Sequence, residues 1–168
     1  DRSCYATLMV DYYAMPSSGD RLWPGREDAN SLAHANKAAH IQNLLHADIQ
    51  LAMPHGAQRF VPFVQMHEFE SLLFSDCSAC AQGLYQPEIE EALQEIRRQF
   101  DNPECINDSP ETAPSKRLAK IIPKYEDQKP YLGTLGALAV GINSMRQECP
   151  GFADWLHRLE HLPSLTTV

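Results

Sequence analysis

Three ionisable residues stand close together at His67, Glu68 and Glu70, within the run RFVPFVQMHEFESLLFSD from Arg59 to Asp76. Asp11, in VDYYAMP, offers a further carboxylate. Clustered carboxylates suit a hard divalent ion, Mg2+ or Mn2+, which takes oxygen ligands and keeps several waters. Two such ions about 4 Å apart stabilise the attacking and leaving oxygens of a phosphoryl transfer. On that reading Asp11, Glu68 and Glu70 are metal ligands, and His67, Glu68, Glu70 and Lys116 are catalytic. Lys116 would steady a phosphate.

These groups need a frame. Phe60 to Met66 is a short apolar, β-branched and aromatic run, which predicts a buried strand. Open α/β sheets place their sites at the carboxyl ends of strands. Phe69, Leu72, Leu73 and Phe74 follow at helical spacing. Cys4 to Asp11 reads as a second strand, with Asp11 at its end. The residues from Glu27 to Ala52 lack Pro and Gly and predict one long helix ending before Pro54. Strand, helix, strand is a βαβ unit, so the segments 5–11 and 60–66 are expected parallel in one sheet. Glu68 and Glu70 share a face only on a strand. On a helix they lie 200° apart, and His67 and Glu70 share the face instead.

The second half is expected to be nearly all helix. Ser75 to Gln86 reads as a loop. Pro87 opens a helix with Ile89, Ala92, Leu93, Ile96 and Phe100 inward. A polar, proline-bearing loop covers 101–114, and a short helix covers 115–122. Leu132 to Met145 reads as a helix with Leu135, Leu138, Ala139, Ile142 and Met145 inward. Pro150 opens the last helix. Lys116 and Arg117 sit in the first turn of the 115–122 helix, where cations oppose the helix dipole. An anion, either a side chain or a phosphate, is therefore expected at that helix start. Asn107 to Glu111 is expected to fold over the His67/Glu68/Glu70 corner, with Lys116 or Arg117 facing the glutamates.

Composition bounds the function classes. A 168-residue chain with 43% hydrophobic and 21% charged residues is ordinary for a globular domain. The net charge of −8 argues against a broad DNA-binding surface, which is built from Lys and Arg. No apolar run approaches the roughly 18 residues that cross a bilayer. Five scattered Cys make a poor disulfide framework. Cys77 and Cys80 form a CxxC, but no second close pair completes a zinc site, so zinc is not expected. Reduced thiols point to a cytoplasmic protein.

VDYYAMP at 10–16, PFVQMHEFESLLFSD at 62–76, PECINDSPETAPSKRL at 103–118 and CPGFADWL at 149–156 together resemble the DUF4276 family, grouped with Toprim-like domains. The resemblance covers most of the chain in order. It implies a single Toprim-like α/β domain, a small, mostly parallel sheet flanked by helices, with 1–76 the α/β part and 77–168 mainly helical. It implies a relation to the nucleases of the OLD family, divalent metal, phosphodiester chemistry, and an ABC-like ATPase partner in phage defence. Asp11 matches the acid of the DYY motif, and Glu68 and Glu70 match HEFE. Asn107, Asp108, Glu111 and Lys116 match NDxPETAPSK, and with Arg117 they are the expected substrate-binding set. Two departures stand out. The glutamate-bearing amino-terminal strand of Toprim-like domains is expected to be missing, and Tyr13 stands where a second acid would complete a DxD.

Three readings follow: a metal-dependent nuclease acting on nucleic acid, a non-catalytic sensor or scaffold that binds an ATPase, and a purely structural ionic corner. In the last, His67 and Glu70 are tied to Arg59, Lys116 or Arg117.

Overall fold

The computed structural model describes residues 4–107 and 110–164. Their order is mixed α/β, with a small parallel sheet flanked by helices. Strand β1 (Ala6–Asp11) pairs in parallel with β2 (Phe60–Gln65), Ala6 opposite Phe60 and Asp11 opposite Gln65. This is the pairing expected from the crossover between them. Among the described residues no helix is long and apolar enough to cross a membrane. The chain divides into two compact units, one of residues up to Gln65 with those from Asp154 onward, the other Met66–Ala153.

In the first unit, β2 is buried almost throughout, with Val61, Phe63 and Val64 enclosed. Phe63 stacks on Trp155 at 5.1 Å, and the Trp155 indole donates to Thr7 Oγ1. The crossover helix α1 (His34–Ala52) lies against β2 and lends Gln42 Oε1 as an acceptor for the Val64 N–H. It starts seven residues later than Glu27. Asp28–Ser31 forms a separate 3-10 turn, and Leu32 and Ala33 are extended. The reason is a tertiary tie. Buried Arg26 donates to the Tyr12 carbonyl and hydroxyl and to Asn30 Oδ1, with its guanidinium 3.8 Å from the Tyr12 ring centre. These bonds hold the turn in place of the helical pattern its sequence would favour.

The second unit begins with a 3-10 stretch, Phe69–Ser75, whose Leu72, Leu73 and Phe74 are fully buried. Asp76 then caps α2 (Cys77–Gly83) by accepting the Ala79 N–H at 2.9 Å. The expected loop is thus a helix, built of small residues that lack a bulky apolar stripe. A 3-10 turn at Pro87–Ile89 leads into α3 (Glu90–Arg97), and α4 (Pro114–Ile121) follows. Next comes α5 (Tyr125–Glu148), with non-helical backbone at Gln128 and Gly141 and a proline at 130. Pro150 opens α6 (Pro150–Glu160), as expected.

The inward face of α5 is not the leucine face. Leu132, Gly133, Gly136, Val140 and Met145 are buried, while Leu138 and Ile142 are 75% and 58% exposed. A Cβ at Gly136 would already press on Leu73 and on Cys80 Sγ, and one at Gly83 would sit 2.2 Å from Ala139 Cβ. Helices α2 and α5 meet through glycine because only hydrogen fits between them.

Candidate functional site: the Glu68–Glu70 corner

The corner forms where β2 ends. His67 is buried and follows a cis Met66–His67 peptide. Glu68 is extended, half-buried, and precedes the 3-10 stretch. Its Oε2 accepts the backbone N–H of Ser115 at 2.9 Å, at the start of α4. The anion expected at that helix start is therefore this side chain. The uncompensated N–H groups of a helix start favour a carboxylate. Pro114 at the first position adds no donor of its own.

Glu70 is the more enclosed group, 1% exposed. Its Oε1 accepts from Lys129 Nζ at 2.9 Å and faces the Tyr125 hydroxyl at 3.4 Å. Its Oε2 is buried with no hydrogen-bond partner among the described residues. Burial pushes the Tyr125 phenol up, and the Glu70 charge and hydrogen bond push it further, with a smaller contribution from Glu68. The Tyr125 hydroxyl is therefore a permanent donor near neutral pH, and both glutamates lie within its electrostatic reach.

Among the described residues the cation paired with Glu70 is Lys129, where Lys116 or Arg117 was expected. Lys116 is exposed and pairs with Glu126. Side chains in the first turn of α4 radiate away from the axis, so the helix offers Glu68 its backbone and sends the lysine elsewhere. Arg117 donates to the Thr112 carbonyl and lies 5.1 Å from the Phe100 ring centre. Asn107 donates its backbone N–H to Cys105, and Glu111 is exposed in a short 3-10 turn. Asp108, with the fold-back expected of 107–111, lies outside the described residues. Asp11 ends β1 in the first unit and gives no side-chain cap to the Tyr12–Ala14 turn after it.

Four members of the second unit's polar framework were not read from sequence: Ser115, Tyr125, Lys129 and Glu104. Pro130 was the available signal for Lys129, since a proline breaks helical pairing and singles out the residues before it. Glu104 explains the pairing of two motifs. It is buried and accepts from the N–H groups of Gly151 and Phe152 at the start of α6. A Cβ at Gly151 would meet its carboxylate at 2.8 Å, so a larger residue there would displace the carboxylate. Burial raises the Glu104 carboxyl, and the two N–H bonds partly offset this.

The CxxC thiols are inert in this setting. Cys77 and Cys80 lie in α2, where burial pushes them up to about 11 and about 12. A cleft of about 560 Å³ in the first unit, lined by Leu22, Trp23, Leu45 and Phe60, contains none of the carboxylates discussed here. It is mainly apolar.

Residues 1–160 match the family described as Domain of unknown function (DUF4276). No curated protein and no solved structure matches the chain.

Proposed function

The chain belongs to the DUF4276 family, and on that premise we propose that it is a Toprim-like, divalent-metal-dependent phosphodiester-transfer domain. The observation that carries this reading is Glu70 Oε2, an enclosed carboxylate oxygen with no donor among the described residues. Leaving a buried acceptor unpaired costs about 1–3 kcal/mol, and more when it is charged. A hard cation would remove that cost. Mg2+ is commonly held by only one or two carboxylates, with water and substrate phosphate completing the shell. The corner therefore fits the ion although no group of three His, Cys, Asp or Glu residues able to hold a metal occurs among the described residues.

Glu68 and Glu70 would hold the ion. A bound Mg2+ or Mn2+ supplies charge stabilisation at phosphoryl oxygens. The chain's own residues do the positioning. The Ser115 N–H fixes Glu68, and the Tyr125 hydroxyl faces Glu70 Oε1. Lys116 pairs with Glu126 in an exposed contact, and surface pairs of this kind are weak enough to exchange for a phosphate. Nucleic acid as substrate, an ABC-like ATPase as partner and a cytoplasmic role in phage defence complete the proposal.

A second reading, a non-catalytic sensor or scaffold that binds the ATPase, is favoured by one specific feature. Lys129 and the Ser115 N–H already compensate the two glutamates. The discriminating experiment combines Mn2+ calorimetry with cleavage of labelled DNA and RNA by wild type and Glu70→Gln. The enzyme reading expects Mn2+-dependent cleavage that Glu70→Gln lowers by more than the roughly 10–100-fold typical of outer-shell losses. Wild type that takes up no Mn2+ at millimolar concentration and cleaves nothing sinks it in favour of the scaffold.

A further inference from the structure

Glu70 already has a cation on one oxygen and none on the other. We infer that Lys129 is the built-in counter-ion of Glu70 and that a divalent cation displaces it, so the corner stays closed until the metal arrives. The inference rests on the metal reading above and adds how that site is regulated.

Four observations carry it. The first is the asymmetry of the pair. The Glu70 side chain is 2% exposed and that of Lys129 is 42% exposed. The carboxylate cannot leave, whereas the ammonium reaches in from solvent and can return to it. The second is the backbone beneath Lys129. Gln128 is non-helical at φ −120° and ψ 16°, and Pro130 follows inside α5. Proline lacks the N–H of a regular helix, so Lys129 stands at a break in the hydrogen-bond ladder. Its movement disrupts fewer backbone bonds than it would in mid-helix. The third is valence. Oε1 is shared by Lys129 and Tyr125, while Oε2 has no partner among the described residues. A divalent ion can engage both oxygens of one carboxylate, and an ammonium on Oε1 alone leaves half of that capacity unused. The fourth is charge. Glu68 and Glu70 both act on the Tyr125 hydroxyl, so the Lys129 ammonium is set against two neighbouring carboxylates among the described residues. The partial positive charge of the α4 start makes up only about half a unit. Exchange of a single for a double positive charge improves that balance. The displaced ammonium remains on its tether beside the site, where a substrate phosphate would meet it.

The test uses the full chain, with Mn2+ as the probe. Calorimetry and thermal melting with and without Mn2+ are run on wild type, Lys129→Met, Lys129→Arg and Glu70→Gln. Competition between Lys129 and metal is a coupling free energy, so Lys129→Met should bind Mn2+ about tenfold tighter or more, and Lys129→Arg within about threefold of wild type. Metal-free Lys129→Met should melt below wild type, with Mn2+ restoring it, and Glu70→Gln should lose the binding. Mn2+ affinity in Lys129→Met equal to or weaker than in wild type overturns the inference while leaving the metal reading intact. Absence of binding in both proteins overturns both. Lys129→Gln replaces Lys129→Met, with the same expectations, if the methionine variant does not fold.

Discussion

Replacing Gly83 with Ala tests the glycine contact that sets the second unit's packing. The new methyl would lie 2.2 Å from Ala139 Cβ and 3.2 Å from the Leu135 carbonyl oxygen. Carbon pairs pack best at about 3.5–4.0 Å, and neither neighbour is the tip of a long side chain that can swing aside. The two helices must separate. Overpacking of this kind costs about 1–3 kcal/mol, and the depth of the overlap puts Gly83→Ala at the upper end. The better helix propensity of Ala returns up to about 1 kcal/mol, leaving a net loss of about 2 kcal/mol. Ala139→Gly alone should cost about 1 kcal/mol by propensity. In the double variant the two propensity terms cancel and the methyl moves from one helix to the other, so stability should lie within about 0.5 kcal/mol of wild type. The coupling is then about 3 kcal/mol, within the range seen for residues in contact. Urea unfolding followed by far-ultraviolet circular dichroism reads it. That probe is apt because both tryptophans, Trp23 and Trp155, belong to the other unit. Additive single effects would mean that the helices do not meet through these residues, and the close-approach argument would fail.

Two further outcomes follow from the helix-start carboxylates. Glu104 has a raised carboxyl in the folded protein. Its protonated form is favoured on folding, so its contribution is fully present below the ordinary glutamate range and is lost as pH rises through the raised value. Wild type should therefore lose stability over that window relative to Glu104→Gln, and parallel melting curves against pH would refute the burial argument. Glu68→Ala removes the acceptor of the Ser115 N–H and should cost about 0.5–2 kcal/mol, the range of a lost helix cap. Hydrogen exchange that leaves the Ser115 amide as protected as in wild type would show that Glu68 does not cap α4.

Much of the frame was legible because it depends on local pattern. The apolar runs at 5–11 and 60–66 predicted two strands, and the separation between them demanded a crossover and hence parallel pairing. The prolines at 87, 114 and 150 marked helix starts, since a residue without an N–H loses nothing at a first helical position. The corner itself was visible as His67, Glu68 and Glu70 at a strand end. So was the anion at the start of α4, because Lys116 and Arg117 stood where the helix dipole prefers negative charge.

What tertiary structure alone decided was which groups meet. The two cations at the start of α4, Lys116 and Arg117, were expected to face the glutamates, yet the pairing went to Lys129, between the non-helical Gln128 and Pro130. Hydropathy put Leu138 and Ile142 inward on α5, yet the glycine face is buried, since close approach to α2 gains more packing than leucine side chains held at a distance. The Arg26–Tyr12–Asn30 tie delayed α1 against a helical pattern that begins at Glu27. Periodicity describes how a segment would fold by itself. Long-range hydrogen bonds, buried charge and the space between two helices depend on partners far away in the chain, and no local pattern encodes them.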